Sequence, residues 1–332
     1  MNSPGFRHLV RLSDDTGLFE HARHAVARRH HGYCTDDVAR GLVVASREAH
    51  PSHRLARLSE CYLAFLTHAQ DPSGAFRNRL GFDRRWGDSP GTGDWWGRAM
   101  WGLGTAAAGN TAPWIREEAL VAFTLGARQR SAHARAMAFA GLGAAELLRA
   151  SPGNAVAAAL LADAAEAVGA PVEDPDWPWP QPYLSYANAA LAEVLVAAGE
   201  LNGDRQSLSN GLHLLTWLCA AQTDGDRLSV VPVAGWRKDA PRTRFDQQPI
   251  EVAALADACA TAALATGDPS WQTVVRRAVA WFEGANDADA VMWDHTTGGG
   301  YDGLTEHGPN LNQGAESTIA LISTMQHARR LA

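Results

Sequence analysis

The 332-residue chain is 46% hydrophobic and 20% charged, so it is long enough to form one large domain or two average ones. Acidic residues outnumber basic ones by 36 to 29, the formal net charge is −7, and the basic residues are scattered, which argues against a nucleic-acid partner. No apolar run approaches the roughly 18–20 residues that a bilayer needs, and the first residues contain no signal-peptide core. We therefore expect a cytoplasmic protein without a membrane partner.

Lysine and cysteine usage excludes several classes of active site. Lys238 is the only lysine, so the chain has no Gly-Lys-Ser/Thr phosphate loop and no kinase-type lysine. The four cysteines are widely spaced and form no Cys-x-x-Cys pair, which favours buried free thiols over disulfides or a zinc site. We expect neither a metal nor a cofactor.

Hydrophobic periodicity predicts helices along almost the whole chain and no alternating strand. The segment 52–70 has one apolar face, as an outer helix does, whereas the segment 249–266 is alanine-rich and apolar all round, as a helix packed on several sides is. This contrast repeats along the chain, with even-numbered helices tending to be alanine-rich and odd-numbered ones amphipathic. The twelve predicted helices span 15–31, 35–49, 52–70, 94–108, 112–129, 132–149, 154–169, 185–200, 205–222, 249–266, 270–284 and 314–330.

The lengths of the connections alternate in the same sense. Links from even to odd helices are short, whereas four of the six links from odd to even helices are long, at about 71–93, 170–184, 223–248 and 285–313. Six hairpins with an inner ring of parallel helices, an antiparallel outer ring and long loops at one mouth form an (α/α)6 toroid. We therefore predict an all-α fold, an (α/α)6 toroid of six helical hairpins, as a single domain over residues 1–332.

Polar residues are concentrated where the inner helices of this ring would begin. These starts converge at the long-loop end of a toroid although they are far apart in sequence. Capping is one explanation, since Thr35, Asp94 and Ser185 are ordinary N-cap residues and acids complement the helix dipole in a first turn. Capping explains less well why many acids gather there together with amides. The acids are Asp36, Asp37, Asp94, Asp246, Glu251 and Glu316.

Seven of the twelve tryptophans lie in the long loops or in the first turn of an inner helix. An indole offers an apolar face to the C–H bonds of a sugar, and carboxylates and amides satisfy the hydroxyls, so this combination is typical of a carbohydrate cleft. The alternative is that the rings only anchor the long loops. These tryptophans are Trp86, Trp95, Trp96, Trp177, Trp179, Trp236 and Trp293.

Several motifs at these positions resemble one family over about residues 30–330. The family is the (α/α)6 domain often attached to or encoded beside bacterial glycosyltransferases and mannoside-active enzymes. The resemblance implies a six-hairpin glycosidase-like fold and a sugar context, without a particular reaction. This chain has Ala187 and Trp96 where the family pattern has Asp and His, so no catalytic role follows for those two positions. The motifs are Gly32-Tyr-Cys-Thr-Asp-Asp-Val-Ala-Arg40, Trp96-Gly-Arg-Ala-Met-Trp101, Trp177-Pro-Trp179, Phe245-Asp-Gln-Gln-Pro-Ile-Glu251, Gly300-Tyr-Asp-Gly-Leu304 and Asn312-Gln-Gly-Ala-Glu-Ser-Thr318.

The leading hypothesis is a glycoside hydrolase-like enzyme that acts on an oligosaccharide or glycoconjugate with two carboxylates. Hydrolysis needs one protonated carboxyl group for the leaving oxygen and one ionised group that attacks or activates water. Asp94 is the candidate acid, because Trp95 and Trp96 would desolvate it and raise its pKa, and Glu251 is the candidate base. The other catalytic candidates are Asp37, Asp246, Asp302 and Glu316.

Two further functions stay open. One is a non-catalytic glycan-binding or scaffold module that serves a separate glycosyltransferase. The other is a sugar epimerase or lyase on the same toroid, in which His295, His307 or Tyr301 moves a proton. Besides the seven tryptophans and these three residues, the candidates for substrate binding are Asp36, Arg40, Arg98, Tyr186, Asn188, Gln247, Gln248, Asn312 and Gln313.

Overall fold

The computed structural model of the protein describes residues 5–330. This part of the chain contains twelve α-helices and ten strands of two or three residues, with a 3-10 turn at Arg29–His31. The helices are α1 (Arg7–Arg11), α2 (Thr35–Ser46), α3 (His53–Ala69), α4 (Asp94–Gly109), α5 (Pro113–Gly126), α6 (Ala134–Ala150), α7 (Ala155–Val168), α8 (Ala189–Asn202), α9 (Arg205–Ala221), α10 (Pro249–Thr266), α11 (Trp271–Phe282) and α12 (Ala315–Arg330). The strands are β1 (Ala22–Arg23), β2 (Val26–Ala27), β3 (Tyr33–Cys34), β4 (Arg79–Leu80), β5 (Tyr183–Leu184), β6 (Thr223–Asp224), β7 (Arg227–Leu228), β8 (Trp236–Arg237), β9 (Gly303–Thr305) and β10 (Gly308–Asn310).

The even-numbered helices form a closed inner ring. Helix α2 packs against α4, and the contacts continue through α6, α8, α10 and α12, which returns to α2. Helices α3, α5, α7, α9 and α11 each pack on the outside of the inner helix that precedes them. This arrangement is the (α/α)6 toroid, and the prediction made from helix character and loop length is confirmed.

Glycines allow neighbouring inner helices to approach closely. A Cβ atom added to Gly104 of α4 would lie 2.1 Å from the carbonyl oxygen of Gly143 on α6. A Cβ atom on Gly143 would lie 2.2 Å from the carbonyl oxygen of Met100. Both distances are far shorter than atoms tolerate, so the α4–α6 contact requires residues without a side chain.

Helix α10 corrects one expectation about apolar runs. It is the one helix within residues 5–330 that is long and apolar enough to cross a membrane, and 72% of that stretch is buried inside the protein. The expectation that no run reaches such a length is therefore wrong for α10. The burial is what the inner ring requires of a helix with neighbours on several sides.

The helix predicted over 15–31 is absent from the structure. Only Arg7–Arg11 is helical there, and residues 12–34 form a loop that contains the β1–β2 hairpin and the 3-10 turn. The Asp14 carboxylate accepts the N–H groups of Thr16 and Gly17 at 2.9 and 3.2 Å, which is a local turn that competes with helix. This loop adds a fifth long connection to the four that were predicted.

The five long connections all run to the N-terminal ends of inner helices. They contain the ten short strands, which pair antiparallel as β1–β2, β3–β4, β5–β8, β6–β7 and β9–β10. Strands of two or three residues are too short to show an alternation of apolar and polar residues, which is why the sequence pattern predicted no strands. The loops span 12–34, 70–93, 169–188, 222–248 and 283–314.

Candidate functional site

A cavity of about 440 Å³ opens where the inner helices begin, and we call it the mouth cavity. It is lined by the first turns of α2, α4 and α12 and by the long loops, so the predicted convergence of helix starts is present. Its lining residues are Glu20, His21, Cys34, Asp36, Asp37, Arg40, Asn78, Arg79, Asp94, Trp95, Tyr186, Gln248, Asp302, Gly314, Glu316 and Ser317.

Three of the carboxylates in the mouth cavity share one cation. The Arg40 Nη2 atom lies 2.6 Å from Asp37 Oδ1, 2.7 Å from Asp36 Oδ1 and 3.2 Å from Glu316 Oε2. Arg40 is 7% exposed, so this guanidinium is a buried counter-charge. Its ion pairs hold the acidic cluster together, and the predicted contact of Arg40 with sugar hydroxyls stays a prediction, since Arg40 lines the cavity.

Asp37 and Asp36 differ in their access to the cavity. The Asp37 side chain is 5% exposed, against 18% for the Asp36 side chain. Burial raises the pKa of Asp37 well above its ordinary value, although the Arg40 charge opposes the shift. Asp36 is the more accessible of the two and also lies 3.9 Å from the Arg98 Nε atom.

Asp94 is the first residue of α4 and is half-buried in the wall of the mouth cavity. Its Oδ2 atom accepts a hydrogen bond from the Tyr186 hydroxyl. Burial raises the pKa of Asp94, the negative charge of Asp36 adds to the rise, and the Arg135 and Arg98 cations oppose it. The predicted direction of this pKa shift agrees with the structure.

None of the three suspected cap residues caps a helix with its side chain. No side-chain hydrogen bond caps the start of α2, α4 or α8. The Thr35 hydroxyl donates to the carbonyl oxygen of Arg77 at 2.7 Å, and Asp94 accepts from Tyr186. Ser185 lies before α8, in the loop. Capping therefore does not account for the polar residues at these helix starts.

Glu251 does not line the mouth cavity, so the geometry does not favour it as the catalytic base, and that role stays a prediction. The residue is 1% exposed. Its carboxylate accepts the Asn188 backbone N–H at 3.2 Å, the Asn188 Nδ2 group at 2.8 Å and the Gln222 Nε2 group at 3.1 Å. These bonds tie the first turn of α10 to the start of α8. The Asn188 side chain is used in the same contact and is not free for a substrate.

Of the predicted glutamines, Gln248 lines the cavity and the other two do not. Gln247 is fully buried, accepts the Trp281 indole N–H at 3.0 Å and donates to Asp287 at 2.6 Å. Gln313 is 3% exposed and accepts the Thr297 hydroxyl at 2.6 Å. Both amides hold loops in place, and their burial does not favour the predicted contact with substrate.

Five other candidates lie outside the mouth cavity. His295 and His307 are exposed in the last long loop, and Asp246 is exposed in the loop before α10. Tyr301 and Asn312 are half-buried, and Asn312 Oδ1 accepts a backbone N–H from the first long loop at 3.0 Å. Asp302, by contrast, lies at the cavity, where its Oδ1 atom accepts the Gly314 N–H at 2.7 Å.

The tryptophans divide into one at the cavity and six elsewhere. Trp95 lines the cavity, while its neighbour Trp96 is fully buried and its indole donates to the carbonyl oxygen of Gly126 at 3.3 Å. Trp293 is also buried, at 3% exposure, and Trp86 packs its ring edge against Phe65 at 5.5 Å. Rings in these positions cannot offer a face to a sugar in the mouth cavity.

Three of the remaining loop tryptophans form a cluster with Trp217 of α9. Trp177 and Trp179 are 4% and 1% exposed, and their ring centroids lie 5.2 and 6.1 Å from that of Trp217. Trp236 stacks on the same ring at 6.5 Å. The alternative of loop anchoring is therefore correct for these residues, because their faces are covered by one another.

Sequence reasoning missed part of the cavity wall. Glu20 and His21 come from the segment that was predicted as helix, and their side chains approach to 3.7 Å. Arg79, on β4, pairs with Glu20. Arg135, at the start of α6, does not itself line the cavity but lies over the ring of the lining residue Tyr186 at 4.6 Å. Arg135 stood in the first turn of a predicted inner helix, and that position was the available signal.

Glu20, Cys34 and Asp37 place possible metal-ligand atoms within 4.8 Å of one another. Each of these groups already has a partner. Arg79 pairs with Glu20, Arg40 pairs with Asp37, and the Cys34 thiol donates to the Asn78 side chain at 3.2 Å. Burial raises the pKa of the Cys34 thiol well above its usual value, which opposes the thiolate that a metal needs. The trio is thus a set of paired groups in the cavity wall.

No family model and no curated protein matches the sequence. Solved structures match it over nearly its whole length. A sugar epimerase from a ruminal bacterium has a TM-score of 0.73 and 12% identity, covering 97% of this chain and 95% of that one. The cellobiose 2-epimerase from Spirochaeta thermophila DSM 6192 has a TM-score of 0.70 and 14% identity, covering 98% and 94%.

A third similar structure is an inactive variant of an α-1,6-mannanase, GH76A of Salegentibacter sp. HEL1_6, in complex with α-1,6-mannotriose. Its TM-score is 0.64 and its identity 9%, and the match covers 100% of this chain and 98% of that one. Identities this low concern the fold alone. The protein therefore has the (α/α)6 toroid, six-hairpin glycosidase-like fold that these epimerases and this mannanase share.

Proposed function

We propose that the protein is a glycoside hydrolase that cleaves an oligosaccharide or glycoconjugate in the mouth cavity. The observation that carries this proposal is the pair Asp94 and Asp36, two carboxylates in one cavity with unlike surroundings. Glycoside hydrolysis needs one carboxyl group that holds a proton and one that is ionised. Two titratable groups whose environments differ in this way are the usual mark of an acid and its partner.

Asp94 is the proposed general acid. Its pKa is raised because the side chain is half-buried and faces the charge of Asp36. The Tyr186 hydroxyl, bonded to Asp94 Oδ2, fixes the orientation of the carboxyl group. In this role Asp94 would give its proton to the glycosidic oxygen as the bond to the sugar carbon breaks.

Asp36 is the proposed ionised partner, in place of Glu251. The Arg40 guanidinium, 2.7 Å from Asp36 Oδ1, stabilises the negative charge. Asp36 is accessible from the cavity, whereas Asp37 is nearly enclosed. We assign Asp37 to maintaining the charge cluster around Arg40, and Glu316, whose side chain is 40% exposed, stays a catalytic candidate.

The similar mannanase supports the placing of a functional carboxylate in the Asp36–Asp37 pair. Its inactive variant carries asparagine in place of two adjacent aspartates. This chain also has two adjacent aspartates, Asp36 and Asp37, in the first turn of an inner helix. Trp95 beside the acids supplies a partly exposed ring on which a sugar would pack.

A second candidate function is sugar epimerisation or isomerisation. It is favoured by His21, a histidine in the cavity wall whose Nε2 atom lies 3.7 Å from Glu20 Oε1. Two of the similar folds are epimerases. In such a reaction a base removes the proton beside the open-chain carbonyl group, and a proton returned to the other face gives the epimer without cutting a glycosidic bond.

One experiment separates these functions. The purified protein is incubated with manno- and gluco-oligosaccharides of two to four units in water enriched in oxygen-18, and in parallel in deuterium oxide. Hydrolysis gives shorter sugars that carry oxygen-18. Epimerisation leaves the chain length unchanged and places deuterium on the carbon beside the carbonyl group. Mass spectrometry reads both outcomes.

Single-residue variants test which residues take part in the reaction. We expect D94N and D36N to abolish the release of shorter sugars, while D246N, an exposed aspartate outside the cavity, leaves it unchanged. Loss of deuterium exchange in H21Q, with D94N still active, would overturn the hydrolase in favour of the epimerase. Glycan affinity without turnover of any substrate would overturn both and favour a binding module.

A further inference from the structure

The axis of the inner ring contains a second cavity, of about 40 Å³, below the mouth cavity, and we call it the axial cavity. Arg40 lines both cavities. In the other direction, Trp101 and Glu193 line both the axial cavity and a cavity of about 380 Å³ at the C-terminal ends of the inner helices. The two cavities are therefore neighbours along the axis.

The axial cavity is lined by donors that have no acceptor. Arg98 is 3% exposed, and its Nε and Nη2 atoms have no hydrogen-bond partner within residues 5–330. The same holds in this part of the chain for Trp101 Nε1 and Arg40 Nε. Burial lowers the pKa of Arg98 to about 10, as expected for a cation without close compensation. Unpaired buried donors are costly, so these groups call for a ligand.

The carboxylates near the axis do not compensate Arg98. The one carboxylate oxygen of the described residues within 4 Å belongs to Asp36, 3.9 Å from Nε and beyond hydrogen-bond distance. Asp257 lines the cavity but is bonded to Arg47 at 3.0 Å and also pairs with His327. Burial raises the pKa of Glu193, so its surroundings disfavour a negative charge on this group. The axial cavity is therefore lined by more hydrogen-bond donors than free acceptors.

We propose that the axial cavity binds one monovalent anion of the size of chloride, held by the Arg98 guanidinium and the Trp101 indole N–H. A volume of about 40 Å³ excludes a sugar or a phosphate ester and matches a small ion with one or two waters, each of which occupies roughly 10–15 Å³ on this measure. The Phe139 ring, 3.5 Å from the Arg98 guanidinium carbon, closes the other face of the cation. An anion at this place supplies the charge that the buried arginine lacks.

The melting temperature tests this proposal without any use of enzymatic activity. The protein is heated in sodium chloride, sodium bromide and sodium gluconate at equal ionic strength. Because an ion that binds only the folded state stabilises it, we expect an upward, saturable shift with chloride and bromide that gluconate does not produce. Equal melting temperatures in chloride and gluconate would overturn the proposal.

Two variants and one crystal locate the ion. The halide-dependent shift should vanish in R98Q and decrease in W101F, which keeps a ring but removes the N–H donor. R276Q, which removes an exposed arginine on α11, should keep the full shift. If R98Q does not fold, W101F and a bromide-soaked crystal decide: an anomalous peak beside Arg98 supports the ion. Ordered water alone, or bromide found only at the surface, refutes it.

Discussion

The Asp94 carboxylate and the Tyr186 hydroxyl are hydrogen-bonded across 92 positions of sequence. The contact joins the first turn of α4 to the loop that leads into α8, on one wall of the mouth cavity. It gives a half-buried carboxyl group a fixed direction. A general acid needs this property, because the proton must reach one particular oxygen of the substrate.

The variant D94N tests the acid role. Asparagine preserves the shape of the side chain but removes the proton, so we expect turnover to fall by about 10²–10⁴-fold while glycan affinity survives. A substrate with a good leaving group should recover part of the rate, since it no longer needs an acid. Steady-state kinetics with both substrate types measures this. Equal losses for both substrates would contradict the assignment.

Trp95 and Trp179 should respond differently to truncation. W95A should weaken glycan binding, measured by tryptophan fluorescence titration, because this ring lines the cavity. W179A should leave the affinity of folded protein unchanged and lower the free energy of unfolding by about 3–5 kcal/mol, because its ring is buried in the tryptophan cluster. W114A, at a residue 62% exposed, is the control for both measurements. A stability loss without an affinity loss in W95A would assign that ring to anchoring as well.

The raised pKa of Glu193 leads us to expect that the stability of the protein depends on pH. Its pKa is raised by burial to about 8 in the folded protein, against 4.5 for the ordinary group. Between these values the folded state holds a proton that the unfolded chain releases, so this group lowers the free energy of unfolding as the pH rises from about 4.5 to 8. E193Q should show a smaller decrease than the wild type in urea titrations over this range. Parallel curves for the two proteins would contradict the shift.

The close contact between α4 and α6 leads us to expect that replacing Gly104 destabilises the protein more than a glycine substitution in a loop does. G104A forces a methyl group against the Gly143 carbonyl oxygen, and we expect a loss of about 1–3 kcal/mol in the free energy of unfolding. Gly153 lies in the loop before α7, and a Cβ atom there meets no atom within 4 Å. G153A is therefore the matched control, and urea unfolding compares the two. Similar stabilities would show that the inner helices shift apart freely.

The ring order was predictable because it depends on local sequence properties. The composition of a helical segment indicates how many of its sides are buried. The segment that forms α10 is alanine-rich and apolar all round, whereas the segment that forms α3 has one apolar face. Parallel inner helices then bring Asp36, Asp94 and Glu316 to one end, whatever their separation in sequence. The predicted ring of alternating inner and outer helices is confirmed for this reason, although the helix predicted over 15–31 is absent.

The direction of individual side chains required the tertiary structure. Trp95 and Trp96 are adjacent, yet successive helical residues point about 100° apart, so one reaches the cavity and the other reaches α5. Glu251 stands in a first turn like Asp94, but the donors of Asn188 and a neighbouring loop draw its carboxylate sideways into the core. Both helices carry an acid in the first turn, and the packed neighbours decided the difference.

In the first long loop, too, the tertiary structure decided what the sequence pattern left open. The spacing of apolar residues over 15–31 is compatible with a helix, but the Asp14 turn and the pairing of β1 with β2 take its backbone hydrogen bonds elsewhere. That outcome places Glu20 in the cavity wall, where no helical pattern would put it. The sequence by itself determined the ring and the end at which its acids meet. Only the tertiary structure decided which acids face the cavity, because that depends on contacts between segments that are distant in sequence.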